Sequence, residues 1–172
     1  MTIERSRQRV AASRVRDAAG RLLDASTLCA IATVSDQGRA HINTAYFAWS
    51  DDFDVVWLSH PQARHSRNVR ANGRVAIAVY DSSQTWGKPD RGIQLHGSAR
   101  EVTARAEGSA EAVYGARFRD YDAADFAAYR FYRFRPRRVK LFDETFFGTG
   151  VFVTARVGRD GALEWGGTEL YR

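Results

Sequence analysis

The sequence predicts a mainly β, antiparallel fold in which a closed or split β-barrel carries flanking helices. Three observations lead to this prediction. Strand-length runs rich in β-branched residues recur along the chain, tight-turn sequences separate them, and helices are inserted between strands without strict alternation. The regular strand–helix–strand order of a doubly wound fold is missing. A barrel removes exposed strand edges, and it is a common architecture for such a chain.

The chain is 172 residues long, which predicts one domain. Hydrophobic residues make up 44% of it and charged residues 27%, and these fractions exclude a disordered or low-complexity protein. The single cysteine, Cys29, excludes a disulfide framework and a cysteine-rich zinc site. Because the formal net charge is +6, we expect an anionic partner.

The predicted elements follow one another along the chain. Apolar residues at helical spacing predict an amphipathic helix over residues 3–23. Two further helices are predicted over 62–72 and over the alanine-rich 104–128, the second with interruptions near Gly115 and again at 120–122. Pro136 predicts a kink or an edge in its strand. The predicted strands are 27–34, 39–49, 54–59, 74–80, 92–102 and 131–142, followed by a terminal hairpin of 151–157 and 163–165. The single domain 1–172 therefore comprises an N-terminal helix (1–24), a barrel core (26–143) and a C-terminal hairpin (144–172).

Several well-defined motifs are missing from the sequence. Residues 1–12 do not resemble a signal peptide, and no apolar run approaches the ~20 residues of a membrane span, so we expect a cytoplasmic protein without a membrane partner. Glycine-rich nucleotide fingerprints, an HExxH helix and a GxSxG elbow are also missing. We therefore expect no metal site and assign no catalytic residue. If the protein is an enzyme, a cofactor carries its chemistry.

The most informative segment runs from Arg39 to Arg74. Two strands and a polar connection lead there into a helix that opens with Arg64-His65-Ser66-Arg67-Asn68. Basic side chains and hydroxyls at a strand end and a helix start suit a phosphate group, since helix N-termini present free N–H groups and arginine supplies paired donors. A solvated, basic helix start would have the same sequence. Both interpretations remain open on the residues alone.

This segment resembles the pyridoxamine 5'-phosphate oxidase-like, FMN-binding split barrels. The resemblance rests on STLCAIATVSDQGRAHINTAYFAW, VVWLSHPQARHSRNVRANGRVAIAVYD and RGIQLHGSAREV within residues 26–102, with a weaker match in YRFYRFRPRRVKLFD at 129–143. It implies a homodimer with FMN at the subunit interface and a small-molecule substrate. The C-terminal segment that contains Trp165 and Arg172 departs from that of the true pyridoxamine phosphate oxidases, so recognition of pyridoxal phosphate is not expected.

The resemblance also implies which residues contact the cofactor. The strand that would edge the flavin ring and its ribityl chain, largely through backbone groups, supplies Arg39, His41, Ile42, Asn43 and Thr44. The residues implied near the phosphate are Ser59, Arg64, His65 and Arg67. His65 stands where the family has lysine, which makes this charge dependent on pH. Two weaker candidates are Trp86, as a cover from the partner subunit, and Gln94, on a strand face that either lines a cavity or faces solvent.

The implied activity is that of a flavin-dependent oxidoreductase in which the flavin N5 accepts or delivers a hydride. Two alternatives stay open: a deazaflavin-dependent reductase on the same fold, and a non-enzymatic flavin- or haem-binding protein. A basic protein that contacts RNA is a further hypothesis, because arginines and aromatic residues interleave at 131–140. Alternation along a barrel strand explains that run more simply, so nucleic-acid binding is not expected.

Overall fold

Ten strands and four helices make up the fold in this computed structural model, which describes residues 2–172. The strands are β1 (Ile3–Ser6), β2 (Leu28–Val34), β3 (Ala40–Tyr46), β4 (Ala48–Trp49), β5 (Val55–Ser59), β6 (Arg74–Tyr80), β7 (Arg91–Glu101), β8 (Arg130–Asp143), β9 (Val151–Val157) and β10 (Leu163–Tyr171). The helices are α1 (Ala12–Ala25), α2 (Arg64–Ala71), α3 (Ala104–Arg117) and α4 (Glu144–Phe147). Among these residues, no helix is long and apolar enough to cross a bilayer.

The strands form one antiparallel sheet that curls into a barrel. Its order is β1-β10-β9-β8-β7-β6-β2-β3, and β5 also pairs with β8 while β4 pairs with β5. Within residues 2–172, β3 and β5 come close to each other without pairing, and they leave a seam in the barrel wall. The predicted mainly β, antiparallel split barrel with flanking helices is confirmed.

The core lies inside the barrel and beneath α1. Helix α1 buries the apolar face predicted from its spacing, which includes Val15, Leu22 and Leu23. Inside the barrel, Trp57 stacks on Tyr132 with 5.6 Å between ring centroids, and both rings are fully buried. Burial of side chains this large stabilises the barrel by roughly 1.5–3 kcal/mol each, and it fixes the strands that carry the candidate site.

Two predicted helices differ from the structure. The helix predicted over 3–23 begins only at Ala12, and Ile3–Ser6 is a strand that pairs with β10. Ile3 is 56% exposed, so burial of apolar side chains does not decide the conformation of this segment. The edge of β10 offers hydrogen-bond partners to the backbone groups of residues 3–6, and this pairing favours a strand. The alanine-rich helix predicted to residue 128 ends at Arg117, and aromatic residues of the following turns pack on its last turns.

Pro136 lies in the interior strand β8 and not at a sheet edge. On one side, β8 pairs with β5 over residues 130–134 and with β9 over residues 138–142, so Pro136 falls between the two partners. On the other side the pairing with β7 shifts register between His96 and Gly97, so that Arg137 of β8 is the extra residue of a β-bulge. A residue without an N–H is tolerated at such an interruption of the ladder. A Cβ on Gly97 would lie 2.1 Å from the Arg135 carbonyl oxygen, so the bulge requires glycine.

Arg117, at the end of α3, ties this helix to the C-terminal end of α1. Its Nη2 donates to the carbonyl oxygens of Leu23, Asp24 and Ser26, at 2.8, 3.2 and 2.5 Å. The guanidinium also lies 4.8 Å from the centroid of the Phe47 ring. Carbonyl groups at the end of α1, which have no partner within the helix, thereby gain a charged donor.

Replacing Arg117 by methionine should lower the free energy of unfolding by about 2–3 kcal/mol, because the carbonyl groups lose a charged hydrogen-bond donor. Urea unfolding followed by circular dichroism measures this loss. Arg105→Met is the matched control, since Arg105 is exposed on the same helix and its replacement should change stability by less than about 0.5 kcal/mol. Equal stability losses in the two variants would contradict the prediction.

Candidate functional site

A cavity of about 430 Å³ lies between α2 and the β2–β3 hairpin, and it is called the α2 cavity below. Residues from one face of the helix and from the hairpin turn surround it. Its lining residues are Ser35, Asp36, Gln37, Arg39, Ala40, His41, Arg64, Arg67, Asn68 and Ala71. Four of the residues implied at the cofactor site therefore meet here: Arg64 and Arg67, which were implied near the phosphate, and Arg39 and His41, which were implied beside the flavin ring and its ribityl chain.

The α2 cavity is strongly positive. Three guanidinium groups face a single acidic lining residue, Asp36. Arg67 donates from Nη1 to the carbonyl oxygen of Gln62 at 2.6 Å, which holds its side chain against the start of α2. In the described part of the chain, Arg39 and Arg64 form neither an ion pair nor a side-chain hydrogen bond. Their donors are available to an anion, and arginine binds phosphate with paired, charge-assisted hydrogen bonds.

The N-terminus of α2 adds to this positive potential. Ala63, the residue before the helix, offers no side-chain cap to the first-turn N–H groups. The partial positive charge at a helix N-terminus favours a bound anion. Beneath this turn, Ser66 donates its hydroxyl to the Oγ of Ser59 at 3.2 Å, and both serines are buried. Ser59 therefore supports the helix start from β5 and does not line the cavity.

His65 and His41 form a pair of imidazoles behind the arginines. His65 is half-buried, and within residues 2–172 its buried Nε2 has no hydrogen-bond partner. Burial lowers the pKa of His65, and the neighbouring His41 lowers this pKa further. His65 is therefore neutral near pH 7. A buried polar atom that finds no partner among the described residues, such as this nitrogen, is common where a ligand is bound.

Strand β3 divides its predicted site residues between two faces. His41 and Asn43 point to the α2 side, while Ile42 and Thr44 point outward, and Ile42 is 67% exposed. The side chains of the five predicted residues therefore do not line one surface of a single chain. The Oδ1 of Asn43 is a second buried polar atom that finds no partner among the described residues.

The backbone of β3 presents a free edge. Ser35 donates its N–H to Arg39 and Phe47 donates its N–H to Thr27, at the two ends of the β2–β3 pairing. Hydrogen-bonded pairs recur at every second residue of an antiparallel ladder, so the odd-numbered residues of β3 bond to β2. Backbone N–H and C=O groups point away from β2 at Ala40, Ile42, Thr44 and Tyr46. Such an edge can pair with a planar ring that carries donors and acceptors.

Sequence reasoning missed part of the α2 cavity. The turn residues Ser35, Asp36 and Gln37 were predicted only as a turn, and they reach the cavity because α2 folds back onto β2 and β3. No local sequence pattern predicts this contact between α2 and the hairpin. Asn68 belongs to the run at the helix start that the sequence analysis found suited to a phosphate, and its Nδ2 donates to the Oγ1 of Thr33 at 3.0 Å.

Trp86 and Gln94 also lie outside the α2 cavity, as do the predicted residues Ser59, His65, Ile42, Asn43 and Thr44. Trp86 is 98% exposed in the loop between β6 and β7. Gln94 lies on the outward face of β7, where it is exposed beside Lys140 of β8. Burial raises the pKa of the Cys29 thiol to about 12, so this thiol is inert as a nucleophile. Within residues 2–172, no group of His, Cys, Asp or Glu side chains is arranged to hold a metal ion.

The fold is similar to that of several solved structures. A heme binding protein from Mycobacterium smegmatis superposes with a TM-score of 0.68 and 19% identity, over 91% of this chain and 62% of that one, so this chain spans less than two thirds of its length. The heme storage protein HutZ from Vibrio cholerae gives a TM-score of 0.61 and 22% identity over 73% and 91% of the two chains. A protein of the pyridoxinephosphate oxidase family from Clostridium acetobutylicum, related to general stress protein 26, gives 0.64 and 14% over 86% and 97%.

At these low sequence identities, the similarities show that the fold is shared, and they show neither a shared ligand nor a shared activity. Comparison with curated protein sequences gives no significant match. The family model described as pyridoxamine 5'-phosphate oxidase matches residues 15–143, which include β2 to β8 and every residue that lines the α2 cavity. The match covers well over half of the sequence and agrees with the split barrel. The chain belongs to the pyridoxamine 5'-phosphate oxidase family.

Proposed function

We propose that the protein binds FMN and acts as a flavin-dependent oxidoreductase on a small molecule. The observation that carries the proposal is the convergence of Arg39, Arg64 and Arg67 on a cavity beside the free edge of β3. A phosphate group in the α2 cavity would bring a ring attached to it within reach of that edge. The cavity accounts for the anionic partner that the net charge led us to expect.

Each part of the site has a separate role in this proposal. Arg39 and Arg64 bind the phosphate, while the N-terminus of α2 adds its dipole. The backbone N–H and C=O groups of Ile42 and Thr44 orient the ring. When bound, FMN supplies the N5 position that accepts or delivers a hydride. We assign no side chain as an acid or base, and the protein contributes binding and orientation.

A homodimer fits the outer surface of the barrel next to β3. Leu28, Ile42, Tyr46 and Tyr80 are 47%, 67%, 59% and 54% exposed on the outward face of β2, β3 and β6. Contiguous exposed apolar surface marks an interaction site, and a second copy of the chain would cover it. In such a dimer, Trp86 and Gln94 contact the flavin of the partner subunit. The exposure of the Trp86 ring agrees with a role outside its own subunit.

The C-terminal segment supports the distinction from the true pyridoxamine phosphate oxidases. Trp165 donates its indole N–H to Thr168 at 3.1 Å and lies under the guanidinium of Arg9, with 5.1 Å from the guanidinium carbon to the ring centroid. Arg172 pairs with Glu4 at 3.7 Å across the β1–β10 pairing. Both residues are thus engaged in tying the N-terminal strand to the sheet. A substrate other than pyridoxal phosphate fits this arrangement better.

Haem is the second candidate ligand, since two of the similar structures are a heme binding protein and a heme storage protein. The buried His65 Nε2, which lacks a partner in the described chain, is the observation in this protein that favours it. A deazaflavin coenzyme would use the same basic surface through its anionic tail. The three ligands differ in absorption spectrum, so one titration series distinguishes them.

The test begins with the absorption spectrum of the purified full-length protein. The protein is then stripped of any chromophore and titrated with FMN, deazaflavin coenzyme and haem, with binding followed by absorbance and fluorescence and oligomeric state by light scattering. We expect saturable FMN binding to a dimer, one flavin per chain. Tight haem binding without FMN binding would favour the second candidate. Absence of binding to all three ligands by a folded protein would refute the proposal.

FMN affinity should increase as the pH falls through the window between the His65 pKa of the bound protein and the lowered His65 pKa of the free protein, because the imidazole is neutral in the free protein there and gains a proton when an anion binds nearby. The sign follows from the lowered pKa: proton uptake on binding makes binding stronger at lower pH. Below this window, protonation of the phosphate group itself weakens the effect. Fluorescence titrations across the range measure the dependence.

The His65→Lys variant is the control for this prediction. Lysine stays charged throughout the range, so its FMN affinity should exceed that of the natural protein at pH 8 and change little with pH. A pH dependence identical in both proteins would show that the imidazole pair is not the titrating group.

A further inference from the structure

A second cavity, of about 440 Å³, lies between the loop before β7, helix α4 and the strands β8 to β10. It is called the aromatic cavity below. Its lining residues are Asp90, Phe142, Glu144, Thr149, Gly150, Val151, Phe152 and Tyr171. None of them lines the α2 cavity. Among the residues that the structure describes, the lining contains no lysine, arginine or histidine.

Three aromatic rings form one wall of the aromatic cavity. Phe142, Phe152 and Tyr171 come from β8, β9 and β10, with ring centroids 5.0 Å apart for the first pair and 4.3 Å for the second. A Cβ on Gly92 would lie 2.6 Å from the Phe142 ring, so glycine at this position makes room for that ring against β7. A Cβ on Gly150 would likewise lie 2.5 Å from the Tyr171 carbonyl oxygen, and Gly150 has a positive φ of +70°. The faces of such rings carry negative potential.

Two carboxylates stand beside these rings. Glu144 accepts a hydrogen bond from the N–H of Gly150 at 3.0 Å through one oxygen, which leaves the other oxygen available. Asp90 is exposed at the end of the loop. Within residues 2–172, neither carboxylate forms an ion pair, and even Lys88, two positions before Asp90, does not pair with it.

Some carboxylates outside the aromatic cavity are neutralised internally. Asp54 pairs with Arg135 at 3.0 Å, and Glu101 pairs with Arg70 at 3.0 Å. The aromatic cavity thus keeps negative charge in a protein whose net charge is +6. An anionic ligand is disfavoured there, whereas a cation gains from both the carboxylates and the rings.

The same rings already hold one cation of the protein. The Lys140 ammonium lies 5.1 Å from the centroid of Phe152 and 5.3 Å from that of Tyr171. The Lys140 ammonium forms an ion pair with the Glu169 carboxylate at 2.6 Å and donates a hydrogen bond to the Tyr171 hydroxyl at 3.0 Å. Lys140 therefore does not neutralise Asp90 or Glu144. The arrangement demonstrates that this aromatic wall has the geometry for cation–π contact.

We propose that the aromatic cavity binds an organic cation, namely a quaternary ammonium or protonated amine with an apolar body. The charged group lies between the ring faces and the two carboxylates, and the apolar part packs on Val151 and the aromatic edges. The volume accommodates a small organic molecule and exceeds that of a bare metal ion. This site is separate from the α2 cavity, and the inference does not depend on FMN binding.

Titration of the full-length protein with choline, followed by NMR chemical shifts or calorimetry, tests the proposal. We expect saturable, weak binding, and about tenfold or more weaker binding of 3,3-dimethyl-1-butanol, in which carbon replaces the charged nitrogen. The Asp90→Asn/Glu144→Gln double variant should bind choline at least about fivefold more weakly, because the rings alone then hold the charge. Phe152→Leu should weaken choline binding similarly.

Glu107→Gln, which removes an exposed carboxylate on α3, is the matched control and should leave choline affinity unchanged. Folding of each variant is checked by its circular dichroism spectrum and unfolding midpoint. The proposal is overturned if choline does not bind saturably to the natural protein. It is also overturned if the neutral isostere binds equally well, or if the double variant keeps full affinity.

Discussion

Replacing Arg39 and Arg64 together by glutamine is expected to weaken FMN binding by at least about 100-fold. Each arginine faces the α2 cavity and, in the described chain, has no carboxylate partner of its own. A phosphate bound there loses two charge-assisted contacts when both are removed, each of which contributes roughly 1.5–3 kcal/mol. Fluorescence quenching of FMN measures the affinity. The fold should be unaffected, because both side chains are exposed.

Arg105→Gln is the control for this change, since Arg105 is an exposed arginine of α3 outside the α2 cavity. It lowers the net charge without altering the site, so its FMN affinity should stay within about twofold of the natural value at moderate salt. If the double variant lost no more affinity than this control, the α2 cavity would not be the phosphate site. The positive charge of the protein as a whole would then account for any binding.

Gly97→Ala should destabilise the protein by about 3 kcal/mol or more, the second large effect that we expect. The added Cβ would lie 2.1 Å from the carbonyl oxygen of Arg135 and 2.7 Å from the Cα of Pro136. Both are backbone atoms, so no side-chain rotation relieves the contact and the β7–β8 pairing must shift. Chemical unfolding followed by tryptophan fluorescence measures the loss.

Gly108→Ala provides the contrast for this prediction. A Cβ on Gly108 meets nothing within 4 Å, and the residue lies inside α3, where alanine is preferred over glycine by roughly 0.5–1 kcal/mol. This variant should therefore be as stable as the natural protein or more so. Equal effects at the two positions would mean that the bulge at His96/Gly97 adapts more easily than the structure indicates.

Most strands and the barrel itself could be predicted from local patterns. Period-two alternation and turn chemistry placed β2, β6 and β9 close to their observed bounds, because burial of one face imposes that pattern on a strand. The last strand, predicted over 163–165, extends to Tyr171 as β10. The strand β1 could not be predicted in this way. Its side chains are largely exposed, and its conformation depends on pairing with β10, more than 150 residues away in the chain.

The site was predictable only in part for a related reason. Arg64 and Arg67 share one face of α2, and this follows from helical spacing. That Arg39 joins them, and that Asp36 and Gln37 complete the cavity, depends on how α2 packs on the hairpin. The aromatic cavity could not be anticipated, since its residues come from the loop before β7, from α4 and from the strands β8 to β10, and only the folded chain brings the rings and the two carboxylates together.

The seam between β3 and β5 has a consequence for the protein without its ligand. An unpaired strand edge is a template for intermolecular β-sheet, and proteins usually guard it with charges or proline. The strand at the other end of the sheet, β1, carries the charged residues Glu4 and Arg5. The outward positions of β3 carry no charge, since they are Ala40, Ile42, Thr44 and Tyr46. A ligand that pairs with this edge therefore acts as a guard against aggregation. The cofactor-free protein should precipitate more readily on storage, and the occupied one should persist.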